Sequence, residues 1–333
     1  MAQQEFSIKK LADRLHTEAD AYRMLEELRW GGDPEACPKC GGIGRCSFIK
    51  PANGDSRKTR TGANTQRRVW FCGHCRKQFS VLTDTIFHGT KISIRTWLFV
   101  IFEFCAAKNS ISAWEISRKY EITNESAWHM LHRIREAMKR EPVAGLFTGT
   151  VAADETWVGG KPGNWSNKKR REAKADQHKW ARPKTDKPAV MALVNKETGE
   201  VRSRVIPDVT GDTLAKVLRE EADLENTTLV TDEAKGYRPV GAQFADHKRV
   251  NHSARRYVNK DGATTNAAES YFSQLKRSID GTHHHVSKEH LARYLAQFDF
   301  MRTWCETDDS DRMRGVIQQV AGRRLTYKPL TSE

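Results

Sequence analysis

No run of 18 apolar residues occurs in the chain, so nothing in it reads as a membrane-spanning helix. The opening Met1-Ala2-Gln3-Gln4-Glu5 lacks the basic and apolar regions of a secretory signal. Cysteine is sparse, at seven in 333 residues, and the odd count argues against a disulfide framework. A reducing compartment, the cytoplasm, is the expectation. Acidic residues are in deficit, 42 against 56 Lys and Arg, for a net charge of +14. That excess suits a polyanionic partner, although many basic proteins bind no specific nucleic acid. No internal repeat is present. The length suggests two or three domains with room for a real core.

Four of the cysteines form two close pairs, Cys37-Pro38-Lys39-Cys40 and Cys72-Gly73-His74-Cys75. Two Cys-x-x-Cys knuckles suit a tetrahedral structural Zn²⁺ site, and residues 37–90 read as a zinc ribbon. Cys46, Cys105 and Cys305 read as packing residues. Between the knuckles, residues 41–71 hold Arg45, Lys50, Arg57, Lys58, Arg60, Arg67 and Arg68 against one acid, Asp55. Such a loop is either a solvated tip or a phosphate-contacting one. Arg57, Lys58, Arg60, Arg67 and Arg68 are the candidate contacts.

Residues 1–36 read as an N-terminal helical segment ended by Gly31-Gly32. Residues 91–141 read as three helices, the last starting near Asn124 as N-cap and burying Ala127, Leu131, Ile134 and Met138. Its outer face is expected to show Glu125, His129, Arg133 and Lys139. This is a helix-turn-helix pattern, with a plain helical bundle as the alternative; His129 and Arg133 are the candidate DNA contacts.

After a linker at 141–145 the texture becomes α/β. Strands are expected at 150–158, 189–195 and 201–206, a helix at 211–222, a strand ending at Asp232, and helices near 265–279 and 287–304. That order is the order of an RNase H-like core, placed at residues 148–306, with 307–333 as a C-terminal tail. A polar insertion, 161–187, carries ten Lys/Arg and three Asp/Glu. It is too polar to pack as core. Lys168, Lys169 and Arg170 in it are candidate nucleic-acid contacts, with a solvated loop as the alternative.

Two carboxylates close apolar strands: Asp154 after Thr150–Ala153, and Asp232 after Thr227–Thr231. Glu269 follows in Asn266-Ala267-Ala268-Glu269-Ser270, at a helix start. Two strand-end acids and a helical one can converge on a pair of divalent cations for phosphoryl transfer. Lys276 lies seven residues, about two turns, beyond Glu269 and on the same face, where it can hold a phosphate. Glu155 and Glu233, by strand alternation, point away.

Ala153-Asp154-Glu155-Thr156-Trp157-Val158-Gly159-Gly160-Lys161 resembles the first catalytic block of the ISXO-like group of bacterial insertion-sequence transposases. Val230-Thr231-Asp232 with Tyr237 resembles the second block, and Asn251-His252-Ser253 a further motif. Thr265–Ser270 with Lys276, Gly281-Thr282-His283-His284 and Val286-Ser287 resembles the third. The knuckles and the helix-turn-helix match the N-terminal region of that group. The resemblance implies a DDE transposase using two Mg²⁺ (or Mn²⁺). It would cut double-stranded DNA at the ends of its own element and join them to a target, as a homo-oligomer on DNA in a bacterial cytoplasm, at the nucleoid. Asp154, Asp232 and Glu269 fall on the metal-ligand positions and Lys276 on the lysine position. The rivals are an inert DNA-binding regulator and a related nuclease that cuts without joining.

Overall fold

The computed structural model describes residues 5–52, 54–59, 62–140, 145–159, 187–250, 264–327 and 330. Arg60, residues 141–144, residues 160–186 with Lys168, Lys169 and Arg170, and Asn251-His252-Ser253 lie outside the described residues. The chain divides into two units, residues 1–139 with 306–333, and residues 140–305.

In the first unit, α1 (Ile8–Arg14) and α2 (Glu18–Trp30) begin on Ser7 and Thr17. Thr17 and Asp20 make a reciprocal capping box, and Gly31 ends α2 at φ 73°, a left-handed conformation that glycine adopts without steric penalty. The knuckle strands β1 (Cys46–Phe48), β4 (Trp70–Cys72) and β5 (Gln78–Phe79) form an antiparallel sheet in the order β1-β4-β5; β2 (Arg57–Lys58) and β3 (Asn64–Thr65) pair at the tip. Buried Glu26 of α2 accepts hydrogen bonds from Arg68 Nε (2.6 Å) and Trp70 Nε1 (2.8 Å). The N-terminal helix is therefore bonded to the ribbon. Helices α3 (Ile94–Ala106), α4 (Ala113–Tyr120) and α5 (Asn124–Ala137) follow. The N-cap of α5 is Thr123, whose side chain accepts from Ser126 N, so Asn124 is the first helical residue. Residues 307–333 are more than a tail: α10 (Asp309–Gln318) buries Met313, Val316 and Ile317 completely and packs on α2 and α3.

In the second unit, β6 (Phe147–Trp157), β7 (Ala189–Asn195) and β8 (Val201–Ile206) form an antiparallel meander. β9 (Ala222–Thr231) and β10 (Asp246–Arg249) add parallel to β6, giving the order β10-β9-β6-β7-β8. This is the RNase H-like arrangement. β10 carries Asp246-His247-Lys248-Arg249, a polar edge with no apolar alternation, and its backbone pairing with β9 alone marks it as a strand. One face of the sheet packs Met191, Leu193 and Leu229 against α6 (Gly211–Glu221) and a short helical turn, α7 (Arg238–Gly241). The other packs Val190, Ala192 and Val194 against α8 (Asn266–Ser278) and α9 (Lys288–Thr303). Both faces are covered, so β7 is buried at every position.

Candidate active site and metal centre

The four knuckle sulfurs converge. Cys37 Sγ lies 3.9 Å from Cys75 Sγ, and Cys40 Sγ lies 3.7 Å from Cys72 Sγ. A tetrahedron of thiolates around Zn²⁺ at about 2.3 Å has edges of about 3.8 Å. All four ligand atoms lie within 4.8 Å of one another, the only group so tight among the described residues. The backbone N–H groups of Cys75 and His74 point at the Cys72 sulfur and pull its thiol down to about 6, against the opposing effect of desolvation. A thiol so biased is a ready metal ligand. The cluster fits structural zinc.

The carboxylates are assembled by strand register. Ala152 of β6 pairs in parallel with Val230 of β9, and both side chains pack with Val250 on one face. Two residues further come Asp154, still within β6 and kept on that face by period-two alternation, and Asp232, one residue past the end of β9. Asp154 also pairs across β7 with Ala192, whose side chain packs in the layer under α8. Asp154 thus faces the helix that carries Glu269 and Lys276. A cleft of about 760 Å³ is lined by Asp154 and Thr156 from β6, and by Glu269, Phe272, Ser273, Lys276, Arg277, Asp280 and Gly281 from α8 and the turn after it. Asp232 is not in that lining, but its charge acts on Asp154. Burial, helped by the charges of Glu155, Asp232 and Glu269 and opposed by the Glu155 N–H bond, pushes the Asp154 carboxyl up to about 7. Asp232 is oriented by Ala234 N, 2.9 Å from Oδ1, and Glu269 Oε1 accepts from Thr265 Oγ1 at 3.2 Å. Hard oxygen donors at strand ends are a set suited to Mg²⁺.

Glu155 pairs with Met191 on the opposite face and accepts a hydrogen bond from the buried Tyr237 hydroxyl. Tyr237 packs in the layer under α6, so it holds that carboxylate on the far side of the sheet from α8. A second polar network roots α8. Asp299 of α9 accepts from Tyr271 Oη (2.6 Å), Ser203 Oγ (2.7 Å) and Ser203 N (2.8 Å). Desolvation lifts Asp299 to about 7 in spite of these bonds. After α8 the backbone continues through a π-helical turn, Ile279–His283, and His284 takes φ 57°. Such turns recur at functional sites.

Several expected DNA contacts are engaged elsewhere. Arg133 was expected on an outer face, but only 5% of it is exposed; its guanidinium donates to His88 O at 2.6 Å and lies over Trp97. α5 is buried from Met130 to Arg135, because α3 lies on one side and the C-terminal residues 321–327 on another. His129 is half-buried against Tyr327. Arg68 is ion-paired with Glu26 and stacked on Phe48, Arg67 donates to Ser80, and Arg57 donates to Ile49 O. Of the described loop cations proposed as contacts, Lys58 and Arg67 are exposed, and Arg67 is tied to Ser80. Thr156, Ser273, Arg277 and Asp280 were missed in the cleft. The spacing 269, 273, 277, 280 is helical and would have found the last three.

Residues 147–303 match the ISXO2-like transposase domain family, and residues 16–78 match the transposase zinc-ribbon domain. The ribbon match begins inside the N-terminal helical segment, in keeping with the Glu26 bonds. A curated relative, described as an uncharacterized protein in transposable element ISH50 of Halobacterium salinarum, is 23% identical over 91% of this chain and 96% of its own length. That relative is archaeal, so it lends nothing to the expected bacterial source. Among solved structures, the catalytic core domain of BIV integrase aligns at 14% identity over 44% of this chain and 80% of its own, with a TM-score of 0.26. A simian T-cell lymphotropic virus intasome aligns at 11% over 59% and 66%, also at 0.26. The strand order β10-β9-β6-β7-β8 is what makes the core RNase H-like. No helix among the described residues is long and apolar enough to cross a membrane.

Proposed function

We propose, from the premise that this chain carries the domain pair of an ISXO2-like transposase, catalytic core and zinc ribbon, that it is the strand-transfer enzyme of a DNA element. It binds double-stranded DNA at the element's ends, cleaves there, and joins the 3′-hydroxyls to a target. One observation supports this above the others: Asp154 lines one cleft with Glu269 and Lys276, and Asp232, just past the end of the strand paired in parallel with β6, is close enough for its charge to act on Asp154.

Asp154, Asp232 and Glu269 would hold two Mg²⁺ (or Mn²⁺), which when bound supply activation of the attacking oxygen and stabilisation of the leaving one. Lys276 anchors the phosphodiester to be cut. Tyr237 keeps the Glu155 carboxylate on the other face, out of competition with the three ligands. The Tyr271–Asp299–Ser203 bonds fix α8 against the sheet and so fix where Glu269 and Lys276 stand. Two ends must be paired for integration, so a homo-oligomer assembles on DNA. The intracellular nucleoid is where such an enzyme meets its substrate.

The test is Asp232→Asn, which removes a charge and nearly keeps the shape. Cleavage and joining with Mg²⁺ should both collapse while DNA binding and zinc content survive. Near-normal strand transfer would show that the wrong carboxylates are named. Joined products on a supercoiled target separate the transposase from a nuclease that only nicks, and an inert regulator would do neither.

A further inference from the structure

Three arginines of the catalytic unit are ion-paired. Arg140, Arg202 and Arg204 all bind Glu221, and Arg202 and Arg204 reach Glu200 and Glu220 as well. Arg277 is different. It is exposed, it lines the same cleft as Asp154, Glu269 and Lys276, and among the described residues it makes no ion pair. Asp280, three residues on and also lining the cleft, sits at the spacing of a helical ion pair, and the pair is not made. The bond Arg277 does make runs from Nε to Ser273 O, one turn back, at 3.3 Å. That lays the side chain along the helix toward Glu269. A guanidinium has five N–H donors, and Nε uses one. The Nη fork, which suits phosphate bidentately, is left to the cleft.

We propose that Arg277 is a second phosphate clamp of the active site. It grips the phosphodiester next to the one on Lys276 and so sets the register of the strand over the carboxylates. One cation leaves a strand free to pivot; two fixed cations define its direction and which bond is presented. The proposal rests on the reading of the cleft as the strand-transfer site.

The experiment compares full-length wild type with Arg277→Ala and Arg277→Lys on labelled element-end DNA. Arg277→Ala should raise the DNA concentration for half-maximal cleavage by about tenfold or more. It should also reduce the slope of log affinity against log salt by about one, the signature of one lost phosphate contact. Cleavage at saturating DNA should persist but at scattered positions around the wild-type cut. Arg277→Lys should restore the salt slope but not the sharp cut, because an ammonium cannot bind bidentately. If Arg277 only offsets the acidic cleft, Arg277→Ala would tighten Mg²⁺ binding in calorimetry and leave salt slope and cut position unchanged, which would overturn the proposal. Asp232→Asn run alongside tells the two levels apart. Should it cleave normally, the reading of the cleft itself has failed; should it be inactive while Arg277→Ala is unaltered, only the clamp is refuted.

Discussion

Replacing Tyr271 by Phe tests how firmly α8 is rooted. The ring is 2% exposed and lies tilted beside Phe272, 5.5 Å between centroids, so the benzene core can stay where it is. What is lost is a hydroxyl that donates to Asp299 Oδ1 at 2.6 Å and lies 2.8 Å from Ser203 Oγ. At pH 8, with Asp299 ionised above its lifted value of about 7, a hydrogen bond to this charged acceptor contributes about 1.5–3 kcal/mol. Asp299 keeps both bonds from Ser203, which places the loss toward the lower half, about 2 kcal/mol. For a unit of this size each kcal/mol lowers the midpoint by about 2–4 °C, so the catalytic unit should melt about 4–8 °C earlier. Asp299→Ala should cost more, about 3 kcal/mol, because it leaves a buried hydroxyl and a backbone N–H without their acceptor. The double variant should be less than additive, since both changes break one network. Strand transfer should fall in the same order, as α8 carries Glu269 and Lys276. Calorimetric unfolding of the full chain measures the first, and gel assays the second. A midpoint change below about 1 °C for Tyr271→Phe, or strict additivity in the cycle, would refute the reasoning.

Cys37→Ser or Cys72→Ser should release zinc and unfold the ribbon, leaving the catalytic unit folded, because metal binding supplies much of a small metal domain's folding energy. Elemental analysis and Trp70 fluorescence follow both effects, and protein purified without chelator that holds no zinc would end the idea. Asp154, lifted to about 7 when folded against 3.8 ordinarily, contributes stability that is fully present at low pH and lost as pH rises through about 7. Chelated Asp154→Asn should therefore melt higher than chelated wild type at pH 8, and the gain should shrink toward pH 5; a pH-independent difference would contradict the shift. Arg323→Ala should destabilise the first unit by about 1–3 kcal/mol, since its guanidinium donates to Glu136 O (2.8 Å) in the last turn of α5 and to Lys139 O (2.6 Å) just after it. An unchanged melting point would show those bonds to be idle.

Much was legible in one dimension because it is local. The two knuckles declare themselves by spacing, since a Cys-x-x-Cys turn needs only four residues to present two sulfurs. The strands around Asp154 and Asp232 show as apolar runs, and α8 shows as a 3.6-residue period. Side-chain alternation sufficed to put Glu155 opposite Asp154. The acids and Lys276 were therefore nameable before any fold, and the cleft brings Asp154, Glu269 and Lys276 to its walls.

What the tertiary structure decided depends on partners far away along the chain. Arg133 has the right period for an outer face, but residues 321–327 return to α5 and His88 supplies a carbonyl, so that face is interior. Arg68 resembles its neighbours Arg57 and Lys58 in composition, yet Glu26, 42 residues earlier, takes its charge. β10 is too polar to announce itself and exists because β9 offers an unpaired edge. Asp299, Tyr271 and Ser203 carry no motif; only the packing of α8, α9 and β8 makes them one network. Sequence period tells which side of an element is apolar, and burial of a polar side chain is settled by whichever distant group arrives to satisfy it.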